Sequence, residues 1–348
     1  MPLPWLAAPL AQALNAQRGH ALLVHAPPGL GALAFGLTLA QAGLCEAAPE
    51  LRSQGPCGRC GSCHLVQSHV HPDLVVLLPE TLRRAHGWPL ADDKIEGEDS
   101  KRKPSKQIRI NEVRTLIDWS TMTSARGRGK VGFVHPADVL NLQSANALLK
   151  TLEEPPVGTR LILTTADPAL LLPTVRSRCQ HLRLATPAPD VALAWLAGLG
   201  VKDSSDAQTL LTACSGRPLD ALALAQAGVN GEAWSALPNA VAHGQAGALA
   251  GWPVPRALDA LQKLCHDALS RVCGGPAQFF AAQRVPAHGR PAELAAWSRE
   301  LARVARHEEH PWNEGLLLDA LVQRGAAALR APTAHAAARP RGFDTLPQ

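Results

Sequence analysis

The sequence predicts an α/β architecture in which a parallel β-sheet carries helices on its faces, followed by a region built from helices alone. Three observations predict it. Apolar β-type runs recur at Ala21 to Ala26, Asp73 to Pro79, Lys130 to His135, Arg160 to Ala166 and His181 to Ala185, with helical patterns between them, and alternation of this kind builds parallel sheets. After Thr186-Pro187-Ala188-Pro189 the strand patterns stop, and the chain reads as helix to about Arg330. The 348 residues, 46% of them hydrophobic, suffice for more than one buried core.

The first run, Ala21 to Val24, leads into HAPPGLGALAFG at 25 to 36 and then into the helical pattern of Leu37-Thr38-Leu39-Ala40. A glycine-rich turn between a strand and a helix is where a phosphate-binding loop sits, because backbone N–H groups at the helix start can approach an anion. The usual GxxxxGK[ST] pattern adds a Lys for the β and γ oxygens and a hydroxyl for Mg²⁺. Here Gly29 and Gly31 are kept, but Ala32 stands in the Lys position and Leu33 in the hydroxyl position. A P-loop ATPase also ends a later strand in acidic residues that hold Mg²⁺ and position water. The matching run, Val131-Gly132-Phe133-Val134, ends instead in His135-Pro136. Two separate losses on one retained scaffold predict a degenerate phosphate loop, a pseudo-ATPase with no ATP expected in its own site.

Four of the eight cysteines fall between residues 45 and 63. Cys57, Cys60 and Cys63 form overlapping C-x₂-C units, and Cys45 lies upstream across a loop that holds Pro49 and Gly55. Four thiolates so spaced can close around one structural Zn²⁺, leaving no coordination position for water; an iron–sulfur cluster uses the same donor set. With four Cys available, His64, His69 and His71 are read as surface or packing residues.

From Arg83 to Lys106 the pattern loses periodicity and gathers charge, ending in Lys101-Arg102-Lys103-Pro104-Ser105-Lys106. It reads as an exposed charged insertion, a solvated loop first and a DNA-backbone contact second. INEVRTLIDWS then returns to helix, with Val113, Leu116 and Ile117 inward. The clearest helix is LNLQSANALLKTLEEPP, where Ala145, Leu148, Leu149 and Leu152 share a face, Asn141 can cap the start and Pro155-Pro156 stops the end.

Composition adds little. The formal net charge of +5 and a pI near 8.9 suit work beside nucleic acid without establishing it. The start, MPLPWLAAPL, lacks the basic region of a secretory signal, and no apolar run approaches the roughly 18 to 20 residues of a membrane span. A cytoplasmic location with no membrane partner is expected.

NALLKTLEEPP at 146 to 156, VRSRCQ at 175 to 180, the degenerate loop and the four-Cys insertion together closely resemble the delta-prime subunits of bacterial DNA polymerase III clamp loaders, members of the AAA+ family. The resemblance is strong over about residues 1 to 190 and weaker beyond, where Trp312-Asn313-Glu314-Gly315-Leu316-Leu317-Leu318 looks like the family's C-terminal collar. It implies an AAA+-like domain over 1–186, a helical lid domain over 187–230 and a helical collar or oligomerisation domain over 231–330; residues 331–348 read as a disordered tail. The resemblance further implies that Arg178 of the Ser-Arg-Cys motif is an arginine finger acting in trans on a neighbour's ATP, with Ser177 and Cys179 holding its turn. Implied partners are gamma/tau-type motor subunits and a delta subunit in a five-membered ring, with the sliding clamp and primer-template DNA reached through the complex. The chain would then lack ATPase activity of its own while forming part of the polymerase holoenzyme. Two other readings compete: an active clamp-loader motor whose loop works with an altered sequence, and a zinc-dependent DNA-binding regulator. The second explains neither NALLKTLEEPP nor Ser-Arg-Cys.

Overall fold

A computed structural model describes residues 3–16, 19–88, 103–307 and 312–330. Its contacts divide the chain into two compact units: one takes Met1–Trp195 together with Arg217–Asp220, the other Leu196–Gly216 and the chain from Ala221 onward.

The first unit is built on five parallel strands, β1 (Ala21–His25), β2 (Leu74–Leu77), β3 (Lys130–Val134), β4 (Thr159–Thr165) and β5 (Gln180–Arg183), in the order β2-β3-β4-β1-β5. All five expected runs are strands. β1 lies inside the sheet, pairing Leu23 with Leu163 of β4 on one side and Val24 with Leu182 of the edge strand β5 on the other. Successive strand residues point to opposite faces, so Leu22 and Val24 join one core while Ala21 and Leu23 join the other. The first core is closed by α1 (Ala7–Ala16) and α2 (Ala32–Leu44), the second by α6 (Ile110–Thr121) and α7 (Leu142–Glu153). α2 lies so close to the sheet that a Cβ at Gly36 would stand 2.2 Å from the Phe133 ring.

α7 follows the sequence pattern: Asn141 Oδ1 accepts from Ser144 N at 2.8 Å, Ala145, Leu148 and Leu152 are buried, and Leu149 is half-buried at the edge of the face. In α6, Val113 and Leu116 are buried and Ile117 is half-buried. Between α2 and β2 lie two short helices, α3 (Pro49–Arg52) and α4 (Gly61–Gln67).

The charged stretch from Arg83 differs from expectation at its start. Glu80–Ala85 forms α5, and Arg83 turns inward, its Nε donating to Leu78 O at 3.1 Å and its Nη2 to Val76 O at 3.3 Å, with Glu112 Oε1 at 3.4 Å. The backbone carbonyls at the end of β2 need donors, and a long cation supplies them; charge alone misread this residue as solvated. The far end of the stretch folds back, Ser105 N donating to Glu80 Oε2 at 3.1 Å. Its centre, including Lys101 and Arg102, lies outside the described residues, as does 331–348.

α8 (Pro173–Arg176) precedes β5, and α9 (Pro189–Gly198) follows it. The second unit contains α10 (Ser204–Ala213), most of α11 (Pro218–Gln226), α12 (Gly231–Ala242), α13 (Val254–Val272), α14 (Pro291–Ala305) and α15 (Glu314–Leu329). Trp234 and Trp297 fill its core, their indole N–H groups donating to Phe279 O at 3.1 Å and Leu321 O at 3.0 Å. Asp267 is fully buried, and its carboxylate accepts from the backbone N–H groups of Gln278, Phe279 and Phe280 at 2.8 to 2.9 Å. A buried charge is tolerable when several donors surround it.

Candidate functional site

The loop after β1 is a glycine turn that leads into α2. Gly29 and Gly31 have φ of +77° and +89°, a left-handed conformation that glycine adopts without steric cost. Other segments of the chain pack directly against it. A Cβ at Gly29 would stand 2.5 Å from the Asp220 carboxylate, and one at Gly31 would stand 2.4 Å from Leu3 and 3.7 Å from Leu219. Leu219 N donates to Gly29 O at 3.2 Å, and Trp5 Nε1 donates to Leu30 O at 2.9 Å. Arg217, the nearby cation, is paired to Asp220 at 2.6 Å. Ala32 and Leu33 pack against the apolar core. Among the described residues, the side chains nearest these glycines are thus a carboxylate and leucines, with no free cation among them.

At the end of β3, His135 is half-buried, and its Nδ1 lies 2.6 Å from Thr164 Oγ1 of β4. Burial, with a smaller contribution from His86, pushes its pKa down to about 4, so the imidazole is neutral at pH 7. A neutral ring satisfied by a hydroxyl cannot do a carboxylate's work on Mg²⁺.

The cysteine cluster forms as expected. Cys45 at the end of α2, Cys57, Cys60 at the start of α4 and Cys63 within it bring their sulfurs within 4.8 Å of one another, with Cys45–Cys60 and Cys57–Cys63 both at 3.9 Å. Bonds of about 2.3 Å to one tetrahedral ion set sulfurs about 3.8 Å apart, so the donor set fits a single metal ion, and a cluster of several irons would hold the sulfurs farther apart. Backbone amides already face the sulfurs: Glu46 N and Cys63 N reach Cys60 Sγ at 3.5 and 3.4 Å, and Ala47 N and Cys57 N reach Cys45 Sγ at 3.5 and 3.4 Å. Amide donors, first that of Arg59, draw the Cys57 thiol down to about 6, while burial pushes Cys63 up to about 12.

A polar chain ties this cluster to the loop before β3. Glu46 Oε1 accepts from Arg126 Nε at 2.8 Å and from Ser62 Oγ at 3.0 Å; Ser62 Oγ meets His71 Nε2 at 3.1 Å; His71 Nδ1 accepts from Asp73 N at 3.0 Å. Asp73, almost fully buried, accepts from Ser124 Oγ, Ala125 N and Arg126 N at 2.7 to 3.0 Å. These bonds hold its carboxyl below the usual carboxylate range against the opposing effect of burial. His71 is thus a packing residue, as read, and also a link. His69 stacks on Trp88 at 3.9 Å, and His64 lies exposed on α4. Asp73 and Arg126 escaped the sequence reading; an acid opening an otherwise apolar run was the available signal.

Arg178 follows α8, a third of its side chain exposed, with Ser177 Oγ bonded to Thr174 O at 3.1 Å and Cys179 buried. Burial pushes the Cys179 thiol up to about 12, so it is a packing group without nucleophilic character. Arg178 is ion-paired with Glu153 at the end of α7. Neither that partner nor Asp220 was visible as a site residue, since both contacts join segments distant in sequence.

Residues 6–188, more than half of the chain, match the family model described as DNA polymerase III, delta subunit. The DNA polymerase III subunit delta' of Pseudomonas aeruginosa is 34% identical over 216 residues, 62% of this chain and 58% of that protein, so the chain spans less than two thirds of this relative's length. The subunit delta' of Escherichia coli K12 is 33% identical over 280 residues, 75% of this chain and 76% of its own. A solved DNA polymerase III gamma-subunit-related protein from Thermotoga maritima is similar at 17% identity and a TM-score of 0.44, over 93% of this chain and 100% of that one. With the family model matched over more than half of the chain and the Escherichia coli relative covered over three quarters of its length, the chain belongs to the DNA polymerase III delta' family.

Proposed function

We propose that the chain is the catalytically silent subunit of a DNA polymerase III clamp loader, assembling with gamma/tau-type motor subunits and a delta subunit in a five-membered ring that places the sliding clamp on primed DNA. One observation carries the silent part of the reading: the lysine and hydroxyl positions of the loop are Ala32 and Leu33, and Asp220, an acid, packs against its Gly29. A motor needs a cation and Mg²⁺ ligands there. The chain's contribution to ATP chemistry is instead Arg178, presented to a neighbour's ATP, where a guanidinium would neutralise charge developing on the transferred phosphoryl group.

Cys45, Cys57, Cys60 and Cys63 would hold a structural Zn²⁺, which supplies folding energy to a segment with little apolar core. The five-strand domain would serve assembly, and the helices from 231 to 330 would form the collar.

An equilibrium titration with a fluorescent ATP analogue and Mg²⁺ tests the reading. No binding up to millimolar is expected. Micromolar, Mg²⁺-dependent binding would overturn it in favour of a motor.

A further inference from the structure

Arg178 is held on two sides by its own chain. Its Nη2 pairs with Glu153 Oε1, and its Nη1 donates to Thr174 O at 2.8 Å and lies 3.4 Å from Ser177 Oγ. The two anchors belong to different elements. Glu153 is the last residue of α7, whose inner face is fixed by buried Leu148 and Leu152, and Thr174 lies in α8, fixed by buried Val175. A guanidinium is planar and carries five donors, so contacts from two rigid helices set its plane as well as its position, and donors on the outer edge remain for a ligand.

The side chains of Arg178 and Glu153 are 32% and 47% exposed. Ion pairs this wet add little to stability. What the pair does supply is orientation, for a long side chain that would otherwise sample many rotamers before meeting a phosphate.

We infer that Glu153 is a positioning residue for Arg178, presenting the guanidinium in the attitude in which it meets phosphate bound by a neighbouring subunit. The inference rests on the reading of Arg178 as a trans-acting arginine. The required property of residue 153 is an acceptor oxygen at the right reach, which glutamine keeps and alanine lacks.

The test is DNA-stimulated ATPase of the reconstituted complex, with kcat and KM for ATP measured separately and assembly checked by gel filtration. Glu153→Ala should lower kcat roughly two- to fivefold, the scale of an exposed charge pair, with KM unchanged. Glu153→Gln should recover most of the rate. In an Arg178→Ala background, Glu153→Ala should have no further effect. A wild-type rate for Glu153→Ala, or an equal loss in both backgrounds, would overturn the inference while leaving the finger in place. An unchanged rate for Arg178→Ala alone would overturn the finger reading and this inference with it.

Discussion

The Asp220 carboxylate stands where a side chain on Gly29 would begin, 2.5 Å from an ideal Cβ there. Gly29→Ala therefore faces two penalties: a left-handed backbone at φ +77° and a collision with Asp220. A loss of about 1–3 kcal/mol is expected by urea denaturation. Because only the collision depends on Asp220, the double variant Gly29→Ala/Asp220→Ala should lose less than the sum of the single variants. Strict additivity would mean that this carboxylate does not pack on the loop.

Arg178→Ala should leave the far-UV spectrum, the thermal midpoint and complex assembly unchanged. On the proposed trans-acting role, hydrolysis at the neighbouring subunit's ATP site should fall by about 10³ or more, the range of arginine fingers. Single-turnover hydrolysis in the reconstituted complex reads that site directly.

The purified chain should be colourless and release one zinc ion per molecule on thiol modification. Cys60→Ser, or prolonged chelation, should cost the 45–63 segment stability on the order of several kcal/mol, read as protease cleavage inside it. Cleavage should then also rise at Ser124 to Arg128, because Arg126 reaches Glu46 and Ser62 beside the cluster. Protection of that loop after metal loss would show that the polar chain stands without the metal.

His135 sets an acid limit. Its folded pKa of about 4 lies below the ordinary 6.5, so above pH 6.5 the ring is neutral in both states and its packing is fully retained. As pH falls toward 4, the unfolded chain takes up a proton that the folded one refuses, and stability drops by an amount on the order of 3 kcal/mol across that window. His135→Asn should flatten this part of the loss. Denaturant midpoints at pH 7 and pH 4.5 check it: an equal drop in variant and wild type would exclude His135 as the cause.

The strands, α6, α7 and the cysteine cluster were legible because each is written in local spacing: apolar runs of strand length, a 3.6-residue stripe with Asn141 in front, overlapping C-x₂-C units. The glycine turn between β1 and α2 was legible for the same reason. What packs on it was not, since Asp220 lies in a helix far along the chain and looks like any surface acid. Glu153 carries no mark of a role in the sequence, because the end of α7 meets Arg178 only in the folded domain. Arg83 was misread for a physical reason: a long cation satisfying buried carbonyls has the same sequence signature as one in water.

The packed loop also bears on how this subunit can change. A lysine placed at position 32 would still have Leu33 in the hydroxyl position and His135 where an acid is needed. Withdrawing Asp220 without that lysine would leave glycine amides with no cation and no metal ligand beside them. On the proposed reading, no single change at Ala32, Leu33 or His135 supplies a motor's full set of phosphate and Mg²⁺ ligands. A silent subunit built this way is ratcheted: selection acting on one substitution at a time has no slope to climb back.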